Sequence, residues 1–166
     1  MRHFLIGAVI FVSFNSCNNL TVKNKINFAD NVVIAHRGAW KKEQLPENSI
    51  ASLKQAIHLG CSGSEFDVRM TADDVLIVNH DEDHNDMFIE ETNYADLAKI
   101  KLSNGEVVPT LKEYILAGME NNSTTGLVCE IKPSKTKERG QYITKKVLCL
   151  VKELKAEPYI SCYISF

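Results

Sequence analysis

The sequence predicts an α/β fold with parallel strands, and three observations predict it. Short β-rich apolar runs alternate with stretches whose apolar residues recur at helical spacing. Helix-start and helix-stop residues stand between the two kinds of segment. Charged residues gather at the ends of the strand-like runs, and in a parallel α/β barrel the carboxyl ends of the strands form the active-site face.

Each element has its own signal. Residues 31–35 are an apolar run ending at His36. Pro46-Glu47-Asn48 leads into a helix marked by Ile50, Leu53 and Ile57, with Gly60 as its stop. Residues 64–70 read as a second strand, 71–74 as a turn and 75–79 as a third apolar run. The gap from Val68 to Val75 is short for a helical crossover, so the second and third runs fit either a hairpin or successive barrel strands. A short helix is predicted over 94–102. Thr110 and Glu113 have capping-box spacing ahead of Leu111, Ile115 and Met119. Residues 126–132 form a strand. Ile143, Val147, Leu150, Val151 and Leu154 mark one face of a long helix, and 159–166 a last strand. That strand has no helix after it, which suggests an incomplete chain.

The chain has 166 residues, 45% hydrophobic and 24% charged, with a formal net charge of -2. This mix argues against a disordered tail, a collagen-like fibre or a polytopic membrane protein. No basic stripe is present, so no nucleic-acid partner is expected. Residues 1–16 read as a signal peptide: Arg2 and His3 open it, and the apolar stretch 4–14 is too short to span a bilayer. Ser16-Cys17 resembles the end of a bacterial lipoprotein signal, in which the cysteine is lipidated and becomes the new N-terminus. An ordinary cleaved signal and an uncleaved anchor are the alternatives. The lipoprotein reading places the protein in a bacterial cell envelope, exported and lipid-anchored in the periplasm or at the outer membrane. Residues 17–30 are a polar lead-in, and 31–166 the domain. Cys61, Cys129, Cys149 and Cys162 have neither metal-site nor disulfide-framework spacing. Cys129 and Cys162, in apolar runs, read as buried small hydrophobes.

The strand ends carry the chemistry. His36-Arg37-Gly38 follows the first run and His80-Asp81 the third. Glu65 and Asp67 are two apart on the second, so both face the same way. Glu130 and Lys132 are two apart near the end of a later strand. The three carboxylates suit Mg²⁺ or Ca²⁺. Arg37 and Lys132 can hold phosphate oxygens, and two histidines can share acid and base roles. Together these are what phosphodiester cleavage needs. Taken singly, each has a plainer reading: a solvated acid pair, a surface loop, an exposed ion pair worth ~0–1 kcal/mol. Asp83, His84 and Asp86 read as loop polars and His58 as a helix-end cation; Trp40 fits packing of its loop, with lining of the mouth as the alternative.

Seven stretches now resemble the glycerophosphodiester phosphodiesterases, in that family's order and spacing: Ile34-Ala35-His36-Arg37-Gly38, Pro46-Glu47-Asn48-Ser49, Glu65-Phe66-Asp67-Val68, Thr71-Ala72-Asp73, His80-Asp81, Pro109-Thr110-Leu111 and Glu130-Ile131-Lys132. The closing Ile164-Ser165-Phe166 is similar to the start of a later motif. The resemblance implies a (β/α)₈ TIM barrel, often with a small insertion in its first half, and here its N-terminal portion. It implies metal ligands Glu65, Asp67 and Glu130, an acid/base pair of His36 and His80, phosphate binding by Arg37 and Lys132, and support from Glu47. The implied substrate is a glycerophosphodiester, split to an alcohol and glycerol 3-phosphate through attack by its own glycerol hydroxyl and a cyclic phosphate. Asp74 stands where the family usually has glycine. About 150 residues follow the signal, against ~250 for such a barrel. The expected alternative is therefore an inactive truncated fragment that keeps its metal and phosphate ligands, with an open edge prone to self-association. A different hydrolase on the same barrel is weaker, since no His-rich zinc set is present.

Overall fold

The computed structural model describes residues 26–165. The segment read as a signal peptide and Cys17 lie outside the described residues. In chain order the elements are β1 (Ile34–Ala35), α1 (Ile50–His58), β2 (Gly63–Met70), β3 (Leu76–Val78), β4 (Asp83–His84), β5 (Met87–Phe88), α2 (Tyr94–Leu97), α3 (Leu111–Met119), β6 (Gly126–Ile131), α4 (Lys137–Glu153) and β7 (Ile160–Ile164). Strands β1, β2, β6 and β7 lie side by side in that order, each neighbouring pair parallel. Helices α1, α3 and α4 make the crossovers, as the alternation of patterns predicts.

The helices form where their caps and stripes put them. Ser49 caps α1 by accepting from the Ser52 N–H, and Leu53 and Ala56 are buried. The Thr110–Glu113 capping box is present in both directions at α3. On α4, Ile143, Val147 and Val151 recur every four residues and are buried, while Thr136 caps the first turn. β2 and β6 are buried along nearly their whole length, as central parallel strands covered on both faces must be. β7 is an edge strand among the described residues. Cys162 on it is exposed, which corrects its reading as a buried hydrophobe; Cys129, on central β6, is buried.

The third apolar run is the return arm of a hairpin. β3 pairs antiparallel with β2, Val68 opposite Val78, so it is not a successive barrel strand. Asp74 makes the reversal possible with φ +62°, a left-handed conformation that Asp tolerates. Arg139 and Tyr142 of α4 hydrogen-bond its side chain and hold the turn. The turn and β3 open an excursion over residues 71–109 that separates β2 from α3. It contains the two-stranded β4–β5 sheet, where loop polars were expected. Its α2 is one turn, Tyr94–Leu97, shorter than the predicted 94–102. Beyond it an isolated bridge pairs Lys101 with Val107.

The β1–α1 loop packs closely against α1 at Gly38. Gly38 has φ +81°, and a Cβ there would lie 2.4 Å from Ser52 Oγ and 2.7 Å from the Ser52 backbone carbon. Gly38→Ala combines left-handed backbone strain with a clash against a helix backbone. The expected loss is about 2–4 kcal/mol of stability in urea unfolding. A loss below ~1 kcal/mol would show that α1 shifts freely.

Candidate active site

β2 carries Glu65 and Asp67 on one face, and the β2–β6 register sets Asp67 directly opposite Glu130. One carboxylate oxygen from each of Glu65, Asp67 and Glu130 lies within 4.8 Å of the others, and all three residues are buried. Like charges opposed across a sheet destabilise it. Burial, foremost, and the neighbouring Asp67 and Glu130 push the Glu65 carboxyl up to about 7, against the Arg37 N–H that pulls it down. Glu65 Oε1 and Asp67 Oδ1 are buried and without a hydrogen-bond donor. Mutually repelling hard oxygens short of donors fit a divalent cation.

Cations and donors surround this cluster. Arg37 sits at φ +57° just after β1, so its N–H points at Glu65 Oε2, 2.8 Å away. Its guanidinium donates to both Glu47 oxygens at 2.9 and 3.1 Å, and its Nε lies 3.8 Å from Asp67 Oδ2. Lys132 Nζ donates to Glu130 Oε1 at 2.7 Å and lies 3.4 Å from Asp67 Oδ1. Both bonds come from one guanidinium nitrogen, Arg37 Nη1, so the Glu47 carboxylate straddles that nitrogen and ties down the end of the Arg37 side chain.

The histidines arrive by different routes. His36 directly follows β1 with an exposed side chain, its Nε2 3.8 Å from Glu65 Oε2. Its carbonyl accepts from the Trp40 indole N–H at 3.2 Å, which ties Trp40 to the start of the β1–α1 loop. His80 comes back along the β2–β3 hairpin: the Asn79 N–H donates to the Asp67 carbonyl, and Arg69 Nε to the His80 carbonyl. Asp81 Oδ1 lies 2.8 Å from His80 Nδ1, and that hydrogen bond lowers the Asp81 carboxyl. Such a contact orients the ring and leaves Nε2 as the nitrogen open to a substrate.

Two residues of the site carried no role in the sequence. Asn48, 3% exposed, donates from Nδ2 to Asp67 Oδ2 at 2.9 Å and accepts at Oδ1 from the Asp67 N–H at 3.2 Å. Its φ of +55° bends the chain to make both bonds. The signal was an asparagine, a residue that enters the left-handed region, just ahead of a helix cap. Asp81 stood beside His80 in plain view, but adjacency along a chain does not imply that two side chains meet.

The model of the glycerophosphoryl diester phosphodiesterase family matches residues 36–163. The glycerophosphodiester phosphodiesterase of Caldanaerobacter subterraneus subsp. tengcongensis is 39% identical over 94 residues, 49% of this chain and 38% of that protein. A crystal structure of a glycerophosphodiester phosphodiesterase from Parabacteroides distasonis superposes with a TM-score of 0.77 at 41% identity, covering 86% of this chain and 58% of that one. A phosphodiesterase from Oleispira antarctica, solved with the product sn-glycerol-3-phosphate, superposes with a TM-score of 0.67 at 27% identity, covering 82% and 57%. This chain therefore spans between about two fifths and three fifths of these relatives, and what it shares with the solved ones is part of a TIM barrel. Because the family match runs unbroken from His36 through the carboxylates to beyond Lys132, the chain belongs to the glycerophosphoryl diester phosphodiesterase family.

Proposed function

We propose that the protein splits glycerophosphodiesters into an alcohol and glycerol 3-phosphate with the help of a divalent cation, Mg²⁺ or Ca²⁺. The observation that carries this reading is the convergence of the buried carboxylates of β2 and β6 with Arg37, just after β1, and Lys132, just after β6. The product seen in the Oleispira antarctica relative supports the same substrate class. Glu65, Asp67 and Glu130 would hold the cation, which when bound supplies positive charge to the phosphoryl oxygens. Arg37 and Lys132 bind the remaining phosphate oxygens. Of His36 and His80, one takes the proton from the substrate's glycerol hydroxyl as it attacks phosphorus. The other gives a proton to the departing alcohol oxygen, and water then opens the cyclic phosphate. Glu47 and Asn48 hold Arg37 and Asp67 in place.

The test is release of glycerol 3-phosphate from glycerophosphocholine and glycerophosphoethanolamine, with Mg²⁺, with Ca²⁺ and with a chelator, alongside calorimetry of cation binding. Cation-dependent release supports the reading. Cation binding without release favours a second one, a ligand-keeping portion without turnover, which the coverage of 58% of a solved relative makes specific. Neither binding nor release removes both.

We also propose that Cys17 anchors the protein by lipid in a bacterial envelope, outside the cytoplasm; the apolar stretch before Ser16-Cys17 supports this. Cys17→Ser is expected to move the protein out of the membrane fraction or block its processing. Unchanged attachment and processing would overturn the anchor.

A further inference from the structure

Glu106 lies in the excursion between β2 and α3, and its carboxylate is spent on another element. Oε2 accepts from the Ile50 N–H at 2.9 Å and Oε1 from the Ala51 N–H at 3.1 Å. These are the first two N–H groups of α1, and Ser49 Oγ takes the third, from Ser52. The Leu53 N–H turns to the Ser49 carbonyl, so the first turn of α1 has no amide left for a phosphate. Anion binding at this mouth falls to side chains. Asn104 Nδ2 donates to Glu106 Oε1 at 2.8 Å and fixes the carboxylate from behind.

The turn that Glu106 holds is the one that supports the carboxylate cluster. Asn48, two residues before Ile50, makes the paired hydrogen bonds to Asp67. The Arg37 carbonyl accepts from the Asn48 N–H at 3.0 Å and from Ser52 Oγ at 3.2 Å. The Arg37 N–H in turn donates to Glu65. A carboxylate 39 residues beyond Asp67 is thus linked to Asp67 and Glu65 through the backbone of the α1 turn and the hydrogen bonds that Asn48 and Arg37 make from it, without touching either.

We propose that Glu106 is a positioning residue that locks the first turn of α1 and through it sets Asn48 and Arg37 against the cation-binding carboxylates, so that the excursion over residues 71–109 contributes to cation affinity. The proposal rests on the cation reading given above. Outer partners of metal ligands commonly govern affinity by about 10–100-fold, and Glu106 acts one step further out, at the low end of that range.

The test uses the 166-residue chain with Mn²⁺ as probe. Glu106→Ala is expected to weaken Mn²⁺ binding about tenfold. It should also shift the NMR signals of the Arg37 amide and the Asn48 side-chain amide, and speed hydrogen exchange at Ile50 and Ala51. Glu106→Gln keeps one acceptor and should lose less. Ile143→Ala, on the buried face of α4, lowers stability away from this turn and should leave Mn²⁺ affinity within about twofold. Glu106→Ala that loses stability but keeps wild-type Mn²⁺ affinity and unshifted Arg37 and Asn48 signals would reduce Glu106 to a plain helix cap and overturn the proposal. If that variant does not fold, wild-type affinity and signals in Glu106→Gln overturn it equally. If the wild-type chain binds no Mn²⁺, the cation reading falls, whereas the Arg37 and Asn48 signals still decide whether Glu106 positions them.

Discussion

Asp67→Asn is expected to weaken divalent-cation binding by more than about 100-fold, beyond the ~10–100-fold that losing an outer partner costs. Asp67 is fully buried at the centre of the site, with Glu130 opposite it, Lys132 beside it and Asn48 bonded to it. The substitution is isosteric and leaves an oxygen for Asn48, so the fold should survive while a charged ligand is lost. In the wild type the same binding should depend on pH. Glu65 holds its proton up to about pH 7, and a cation must displace it. Affinity should therefore fall about tenfold per unit as pH drops below 7, with about one proton released per cation bound. Calorimetry from pH 5.5 to 8, in buffers of different ionisation enthalpy, reads both quantities. A flat pH profile, or Asp67→Asn binding within tenfold of wild type, would show that the cluster is not the cation site.

The same shift sets a direction for stability in the absence of cation. Below the ordinary range of a glutamate, Glu65 is protonated both folded and unfolded, so it has no effect. Between about 4.5 and 7 the unfolded chain has released that proton and the folded chain keeps it. Stability then falls as pH rises through this window, by up to about 3 kcal/mol from this group. Cation binding above pH 7 offsets that loss, so the thermal shift on adding cation should grow with pH.

How much of this was legible in the sequence depends on the range of the interaction. The α3 boundary was legible because Thr110 and Glu113 satisfy one another within one turn. The α4 stripe was legible because Ile143, Val147 and Val151 repeat at helical period. Placing Glu65 and Asp67 on one face needed only strand alternation. The role of β3 was not legible: three apolar residues suit a parallel or an antiparallel neighbour equally, and the left-handed Asp74 that decides the matter is one of many polar turn residues. Cys162 shows the same limit, since its exposure depends on which strand stands at the edge. The Asn48–Asp67 pair spans 19 residues and the Glu106–Ile50 cap 56, and no local pattern encodes either. Local spacing thus sufficed to put Glu65 and Asp67 on one face, whereas the contacts of Asn48 and Glu106, made only through the fold, could not be read from it.

His36→Ala and His80→Ala should each cut turnover of a glycerophosphodiester by ~10²–10⁴-fold, the usual contribution of a positioned acid or base. The two histidines stand in unlike settings. His80 is held on three sides: by Arg69 at its carbonyl, by Asn79 pairing with the Asp67 backbone, and by Asp81 at Nδ1. His36 is exposed: its carbonyl is held by the Trp40 indole, while its ring nitrogen Nε2 lies 3.8 Å from Glu65 Oε2. Losing Asp81 should therefore cost His80 part of its effect, through a freer ring, while leaving His36 untouched. The two roles separate with a substrate whose alcohol is a nitrophenol. That group departs without a proton, so replacing the general acid should then cost little, while replacing the general base should cost as much as before. Opposite responses of the two variants would assign one role to each histidine. Equal, small losses with both substrates would remove both residues from proton transfer and leave the rate to the carboxylates, Arg37 and Lys132, whose electrostatic stabilisation would then carry the whole reaction.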